Sequence, residues 1–144
     1  MGGDVFNLDL LAADCAQKMV EKAREATGEA GKSIETLERL VTKTLGVLQE
    51  QGVYAMMLFL FSRSDSEEGA AKNIRENLLG LLGKLPGLQK NDQLPANVFQ
   101  QEALKFIKEN ILHNLDTLLL VHELYEQTLI YARYGAKAAS NREA

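Results

Sequence analysis

Apolar residues recur along this chain at intervals of three and four, the spacing that places them on one face of an α-helix. The pattern is clearest after Ser33, a residue type that caps helix N-termini, where charged residues occupy the opposite face. The apolar positions there are Ile34, Leu37, Leu40, Val41, Leu45 and Leu48. This spacing predicts a helix from Ser33 to about Glu50, with Gly52 permitting a stop or a bend.

Helical patterns also lie on either side of this segment. Asn7 can cap a first helix, which should end around Thr27-Gly28 because glycine loosens the backbone there. The segment from Val53 to Phe61 is apolar on every side. We therefore expect it to be a helix in the middle of the core.

The polar stretch 62–66 predicts a loop before a fourth helix. Asp65 and Glu68 have the spacing of a capping box, in which each side chain satisfies a free backbone N–H at the helix start. This predicts a helix through about Leu85. Pro86-Gly87 should end it, since proline cannot continue a helix.

The last third of the chain contains two more helical segments. After a polar connector, Asn97 and Gln100 offer a second capping box for a helix to about Leu112. The final helix should begin at Asn114 or the residue after it and run to about Ala139. Its apolar residues cover so much of its surface that we expect the other helices to surround it.

These segments predict an all-α fold, a single-domain bundle of five to six helices over residues 1–144 with a long central C-terminal helix. Composition agrees with this. Of the 144 residues, 46% are hydrophobic and 25% are charged, which excludes a disordered chain. The formal net charge of -4 lacks the overall basic character of a protein that binds nucleic acid independently.

Cysteine and hydropathy bear on the location of the protein. Cys15 is the single cysteine, so an internal disulfide is impossible, and no Cys/His cluster has zinc-binding spacing. The longest apolar run, Val53 to Phe61, is far shorter than the roughly 20 residues that a membrane span needs. The first six residues do not resemble a signal peptide. We therefore expect a cytoplasmic protein without a membrane span.

Candidate catalytic groups are few. Glu109 and His113 are four residues apart and occur once, whereas a di-iron bundle needs Glu-x-x-His twice. His122 and Glu123 are adjacent, so on a helix they point in different directions. The sequence predicts neither an enzyme nor a cofactor, a metal site or a small-molecule substrate.

Basic residues on helix surfaces are the best candidates for contacts. Arg39 and Lys43 lie one turn apart, as do Arg133 and Lys137. They can contact nucleic-acid phosphates, or they can belong to solvated faces with intrahelical ion pairs such as Glu35 to Arg39.

Two tyrosines are candidates for a subunit interface. Tyr131 and Tyr134 flank Arg133, and tyrosine beside arginine is typical of interface centres. Burial of both rings in the core is the alternative at this stage.

Two segments carry a resemblance to a known family. The first, 44–60, reads TLGVLQEQGVYAMMLFL, a helix that ends at a glycine and is followed by an apolar, alanine-containing helix. The second, 129–138, reads LIYARYGAKA, with leucine, an aromatic, a basic residue and then alanines. In both, the chain resembles the small all-helical subunit of the type III-B, or Cmr, CRISPR RNA-guided effector complex.

The resemblance implies a non-catalytic subunit of an antiviral ribonucleoprotein. Small subunits of that family stack into a short filament beside the larger backbone subunits and line the path of the target strand. The implied partners are other Cmr subunits, copies of the chain itself, and guide or target RNA bound weakly by the chain alone. A helical adaptor that binds a partner protein and no nucleic acid is the alternative function.

Overall fold

The computed structural model describes residues 7–26, 30–88 and 100–143. Throughout these residues the regular structure is helical, without a strand: α1 (Leu8–Glu25), α2 (Ala30–Gln51), α3 (Val53–Phe61), α4 (Asp65–Leu82), α5 (Gln100–Ile107) and α6 (Leu115–Glu143). A π-helical turn, Lys108–Leu112, continues α5. The prediction of an all-α bundle with a long C-terminal helix is confirmed.

Two helix starts lie where the sequence predicts them. The Oδ1 atom of Asn7 accepts a hydrogen bond of 3.0 Å from the backbone N–H of Leu10. Asn114 caps α6 in the same way, accepting 3.1 Å from the N–H of Thr117. Both side chains satisfy a backbone donor that has no partner within its own helix. The predicted end of the first helix, Thr27-Gly28, lies outside the described residues.

Two other predicted caps are wrong. The helix α2 begins at Ala30, so Ser33 lies inside it, since nothing between these residues forces the backbone out of helical geometry. Asp65 is the first residue of α4, and Ser64 occupies the N-cap position without a side-chain hydrogen bond. Glu68 does not complete a capping box, because its carboxylate pairs with Arg75 at 2.9 Å.

The end of α4 and the start of α5 also differ from expectation. The helix α4 ends at Leu82, three residues before the predicted end, and turns follow in which Leu85 remains fully buried. Gly87 adopts a φ of 84°, a left-handed conformation that favours glycine. The predicted cap Asn97 lies outside the described residues, and α5 begins at Gln100.

Gly52 separates α2 from α3. Its φ of 98° breaks the helix, while its N–H donates to the Leu48 carbonyl and its own carbonyl accepts from the N–H of Met56, both at 3.0 Å. The helix α3 buries one side in the core, but Leu58 on the other side is 42% exposed. The expectation that α3 would be covered all round is therefore wrong on that side.

The core is one cluster to which every helix contributes. The helix α6 packs along α1 and α2, while α4 packs against α1, α2 and α3. The fully buried side chains of α6 are Val121, Leu124, Tyr125, Thr128, Leu129, Ala132 and Ala136. Its first turns differ from this arrangement, because Leu115 and Leu119 are 67% and 58% exposed. From Val121 onward one side of α6 is buried and the other is exposed, so the expectation that the other helices would surround α6 is wrong.

Candidate nucleic-acid and protein interfaces

The helices α2 and α6 run antiparallel. Near one end of the pair, His122 Nε2 lies 3.2 Å from the Leu48 carbonyl oxygen. Towards the other end, Ser140 lines a groove with residues from the first half of α2. This groove, the α2/α6 groove, has a volume of about 440 Å³ and is lined by Glu35, Glu38, Arg39, Thr42, Lys43 and Ser140.

The basic residues of α6 border the same groove. Glu126 accepts a hydrogen bond of 2.8 Å from Gln49 of α2, so this side of α6 faces α2. Arg133 and Ser140 follow Glu126 at intervals of seven, about two helical turns, and therefore lie on the same stripe of α6. Lys137 lies one turn after Arg133 on the outer edge of this stripe. The two predicted basic pairs thus meet at one surface.

Three of these four basic residues have free charges. Arg39, Arg133 and Lys137 are exposed, and none of them forms an ion pair with a side chain in the described part of the protein. Arg39 and Glu35 line the α2/α6 groove together but do not form the intrahelical pair that the sequence offered.

Lys43 differs from the other three. Its Nζ lies 3.0 Å from the Glu67 carboxylate, which also receives Arg63 at 3.3 Å. The hydrogen bond from Lys43, followed by the hydrogen bond from Arg63, lowers the pKa of Glu67 below its ordinary value of 4.5. The carboxylate therefore offsets part of the positive charge that Lys43 brings to the surface.

The two candidate interface tyrosines lie on the side of α6 that faces α1. The Tyr131 hydroxyl donates to Oδ1 of Asp9 in α1, and this hydrogen bond raises the pKa of Tyr131 above its ordinary value. The Tyr134 side chain is 68% exposed, so core burial is wrong for this residue. Tyr131 is partly buried against the core.

Both tyrosines line a second groove, the α1/α6 groove, which also has a volume of about 440 Å³. Short side chains from α1 and a glycine from α6 leave room between the helices. A Cβ atom added to Gly135 would lie 3.3 Å from Cγ2 of Val20, so the Val20 side chain lies close to Gly135. The groove is lined by Ala13, Ala16, Gln17, Val20, Glu21, Arg24, Tyr131, Tyr134 and Gly135.

Cys15 does not have the properties of a nucleophile. Burial raises its pKa from 9.0 to about 12, against the smaller opposing effects of Lys18 and Lys84. Its Sγ atom lies 3.5 Å from the Asn77 carbonyl oxygen, to which the thiol can donate a weak hydrogen bond. The residue therefore remains a protonated thiol near neutral pH.

The residues that the structure describes hold neither a metal-binding cluster nor a membrane-spanning helix. They contain no group of three or more His, Cys, Asp and Glu side chains that could hold a metal ion. No helix in the described part of the chain has both the length and the apolar character to cross a membrane.

Sequence reasoning located the basic residues and the tyrosines but missed two of their partners. Glu67 is 24 positions from Lys43, and Asp9 is 122 positions from Tyr131. No local spacing rule connects residues that far apart, so only the fold shows these contacts.

Comparisons with protein-family models, with curated proteins and with solved structures give no significant match.

Proposed function

We propose that this protein is a non-catalytic structural subunit of a type III-B (Cmr) CRISPR effector complex, and that it helps to hold guide or target RNA in antiviral defence. The observation that carries the proposal is a set of three exposed basic residues: Arg39 lines the α2/α6 groove, and helical spacing places Arg133 and Lys137 beside it. Cations arranged in this way suit the backbone of a nucleic acid.

The contact would be independent of sequence. Lysine and arginine that contact phosphates release counterions, so affinity falls as salt rises. With a net charge of -4, the chain alone would bind RNA weakly. Other subunits would supply most of the positive charge within a cytoplasmic assembly.

The resemblance to the Cmr small subunit gives independent support. Segment 44–60 forms the end of α2, the Gly52 break and α3, and segment 129–138 lies within α6. The helices α2 and α3 both pack against α6. The two resembling segments thus belong to neighbouring parts of one core.

One observation favours the second candidate function, a helical adaptor that binds protein alone. Lys43 is paired with Glu67, and the carboxylates Glu35 and Glu38 line the same groove as Arg39. A surface of mixed charge suits a protein partner, whereas a continuous basic stripe suits nucleic acid.

The salt dependence of RNA binding tests the proposal. We would purify the assembled complex with the double variant Arg133→Ala/Lys137→Ala and measure RNA affinity over a range of salt concentrations. Loss of two phosphate contacts should weaken binding and lower the salt slope by up to about two units. The matched control is Lys105→Ala/Lys108→Ala, which removes two exposed lysines from α5 and its π-helical extension. Unchanged affinity and slope in the α6 variant would contradict the assignment.

A further inference from the structure

The α1/α6 groove combines an aromatic wall with a shallow apolar floor. Ala13, Ala16 and Val20 present short side chains along α1, and Tyr131 and Tyr134 project from α6. Tyrosine offers a large contact area with little conformational entropy to lose, which makes it common at the centres of protein interfaces. Such a groove fits an extended or helical segment of another protein.

Carboxylates lie along the α1 side of this groove. Leu10, Asp14, Gln17 and Glu21 follow one another on α1 at intervals of four, three and four, so they form one exposed stripe beside the floor. Gln17 donates a hydrogen bond of 3.1 Å to Glu21 and holds that carboxylate at the groove. A third carboxylate, that of Asp9, lies at the Tyr131 hydroxyl.

The lining carries one positive charge beside the carboxylate of Glu21. Arg24 is the basic residue that lines the groove, and it already has an interaction within the protein. On the α1 stripe itself, Asp14 and Glu21 are exposed and Leu10 is 54% exposed. The surface therefore offers carboxylates, an aromatic face and an apolar side chain together.

We infer that the α1/α6 groove binds a basic segment of a neighbouring protein. A lysine or arginine of that segment lies against the Tyr134 ring and reaches Asp14 and Glu21, while its apolar residues contact Leu10 and the alanine floor. Cations are attracted to aromatic faces, and the carboxylates add charge complementarity. The same carboxylates repel a phosphate backbone, so the groove does not take RNA.

This inference rests on the proposed function only in that a neighbouring subunit supplies the segment. It divides the surface of α6 into two faces with different partners. The α2 side, with Arg133 and Lys137, faces nucleic acid, and the α1 side, with Tyr134, faces protein. The two assignments can be tested by separate experiments on the same chain.

An NMR titration of the full-length, isotope-labelled protein tests the inference directly. The probe is a short amphipathic peptide of lysine and leucine, compared with the same peptide carrying glutamate in place of lysine. The lysine peptide should shift the amide resonances of Gln17, Glu21 and Gly135 and bind more weakly as salt rises. The glutamate peptide should leave these resonances in place.

Two variants localise the binding. Tyr134→Ala should weaken the lysine peptide at least about tenfold, as loss of an interface centre does, and its exposed position spares the fold. Glu21→Lys should weaken it as well. The matched control is Glu102→Lys, a reversal of an exposed charge on α5, which should leave the affinity unchanged.

Several results would overturn the inference: no shift of these resonances at high concentrations of the lysine peptide, equal binding of the glutamate peptide, or shifts that depend on protein concentration alone. The last result would mean that a second copy occupies the groove. A failed peptide titration with intact RNA contact overturns this inference alone. Unchanged RNA binding in the Arg133→Ala/Lys137→Ala complex, with the peptide titration as expected, overturns the proposed function alone.

Discussion

The hydroxyl of Tyr125 donates a hydrogen bond of 2.8 Å to the carbonyl oxygen of Leu78, which joins α6 to α4 inside the core. Both residues are completely buried. A buried hydrogen bond of this kind contributes roughly 0.5–1.5 kcal/mol to stability. The contact explains how α6 remains fixed to α4, although most of its packing is against α1 and α2.

Tyr125→Phe should therefore lower the free energy of unfolding by about 1 kcal/mol, because it removes the hydroxyl and keeps the ring. Chemical denaturation of the purified protein measures this change. The matched control is Tyr134→Phe, at an exposed tyrosine of the same helix, which should stay within about 0.5 kcal/mol of the wild type. Equal losses in the two variants would contradict the role assigned to the Tyr125 hydroxyl.

Alkaline pH should destabilise the protein through Cys15. Burial raises the pKa of its thiol from 9.0 to about 12, so the unfolded chain releases this proton at lower pH than the folded protein. The stabilisation by the protonated thiol is fully present below pH 9.0 and is lost as the pH rises towards about 12. Between these values the slope should approach 1.4 kcal/mol per pH unit, roughly the value for one proton.

Denaturation curves recorded at a series of pH values test this, with Cys15→Ala as the comparison. The variant should be less stable at neutral pH because it leaves a small cavity, but its stability should fall less steeply above pH 9.0. Tyr125 remains in both proteins. Burial, the larger cause of its raised pKa, acts in both, and the smaller contribution from the Cys15 charge is lost in the variant together with the thiol. Parallel curves for the two proteins would contradict the assignment to Cys15.

The close approach of Gly135 to Val20 predicts a measurable coupling between α6 and α1. Gly135→Ala gains about 1 kcal/mol in helix propensity, but its new Cβ would lie 3.3 Å from Cγ2 of Val20. In a Val20→Ala background that methyl group is absent, so the same substitution should stabilise the protein more. A double-mutant cycle should give a coupling of at least about 0.5 kcal/mol. An equal effect of Gly135→Ala in both backgrounds would contradict this coupling. It would mean that the Val20 side chain moves aside without a cost in free energy.

The ion pair between Lys43 and Glu67 predicts unequal roles for the basic residues. Within the assembled complex, Lys43→Ala should change the salt slope of RNA binding less than Lys137→Ala, because Glu67 already offsets the Lys43 charge. Glu67→Gln should strengthen RNA binding by releasing Lys43. A larger effect of Lys43→Ala than of Lys137→Ala would contradict the role assigned to the Lys43–Glu67 ion pair in RNA binding. So would weaker RNA binding by Glu67→Gln.

The fold was predictable from the sequence wherever the signal is local. The three- and four-residue spacing of apolar side chains located the helices, and Asn7 and Asn114 marked two helix starts because capping involves only neighbouring residues. The helix starts predicted from Ser33 and Asp65 are wrong because nearby residues can also begin a helix.

The contacts of the candidate sites could be predicted only in part. Residue type and helical spacing indicated Arg133, Lys137 and Tyr134 as surface candidates. The carboxylates that distinguish the two grooves come from other helices, as Asp9 does for Tyr131 and Glu67 does for Lys43. Charge balance at a groove depends on helix packing, which a single sequence does not determine.

Co-purification from the native host tests the central claim most directly. The tagged full-length protein would be isolated under mild salt, its partners identified by mass spectrometry and any bound RNA extracted and sequenced. The proposed function predicts recovery of the large CRISPR effector subunits together with short guide RNA. Recovery of unrelated proteins without RNA would contradict it and favour the adaptor function.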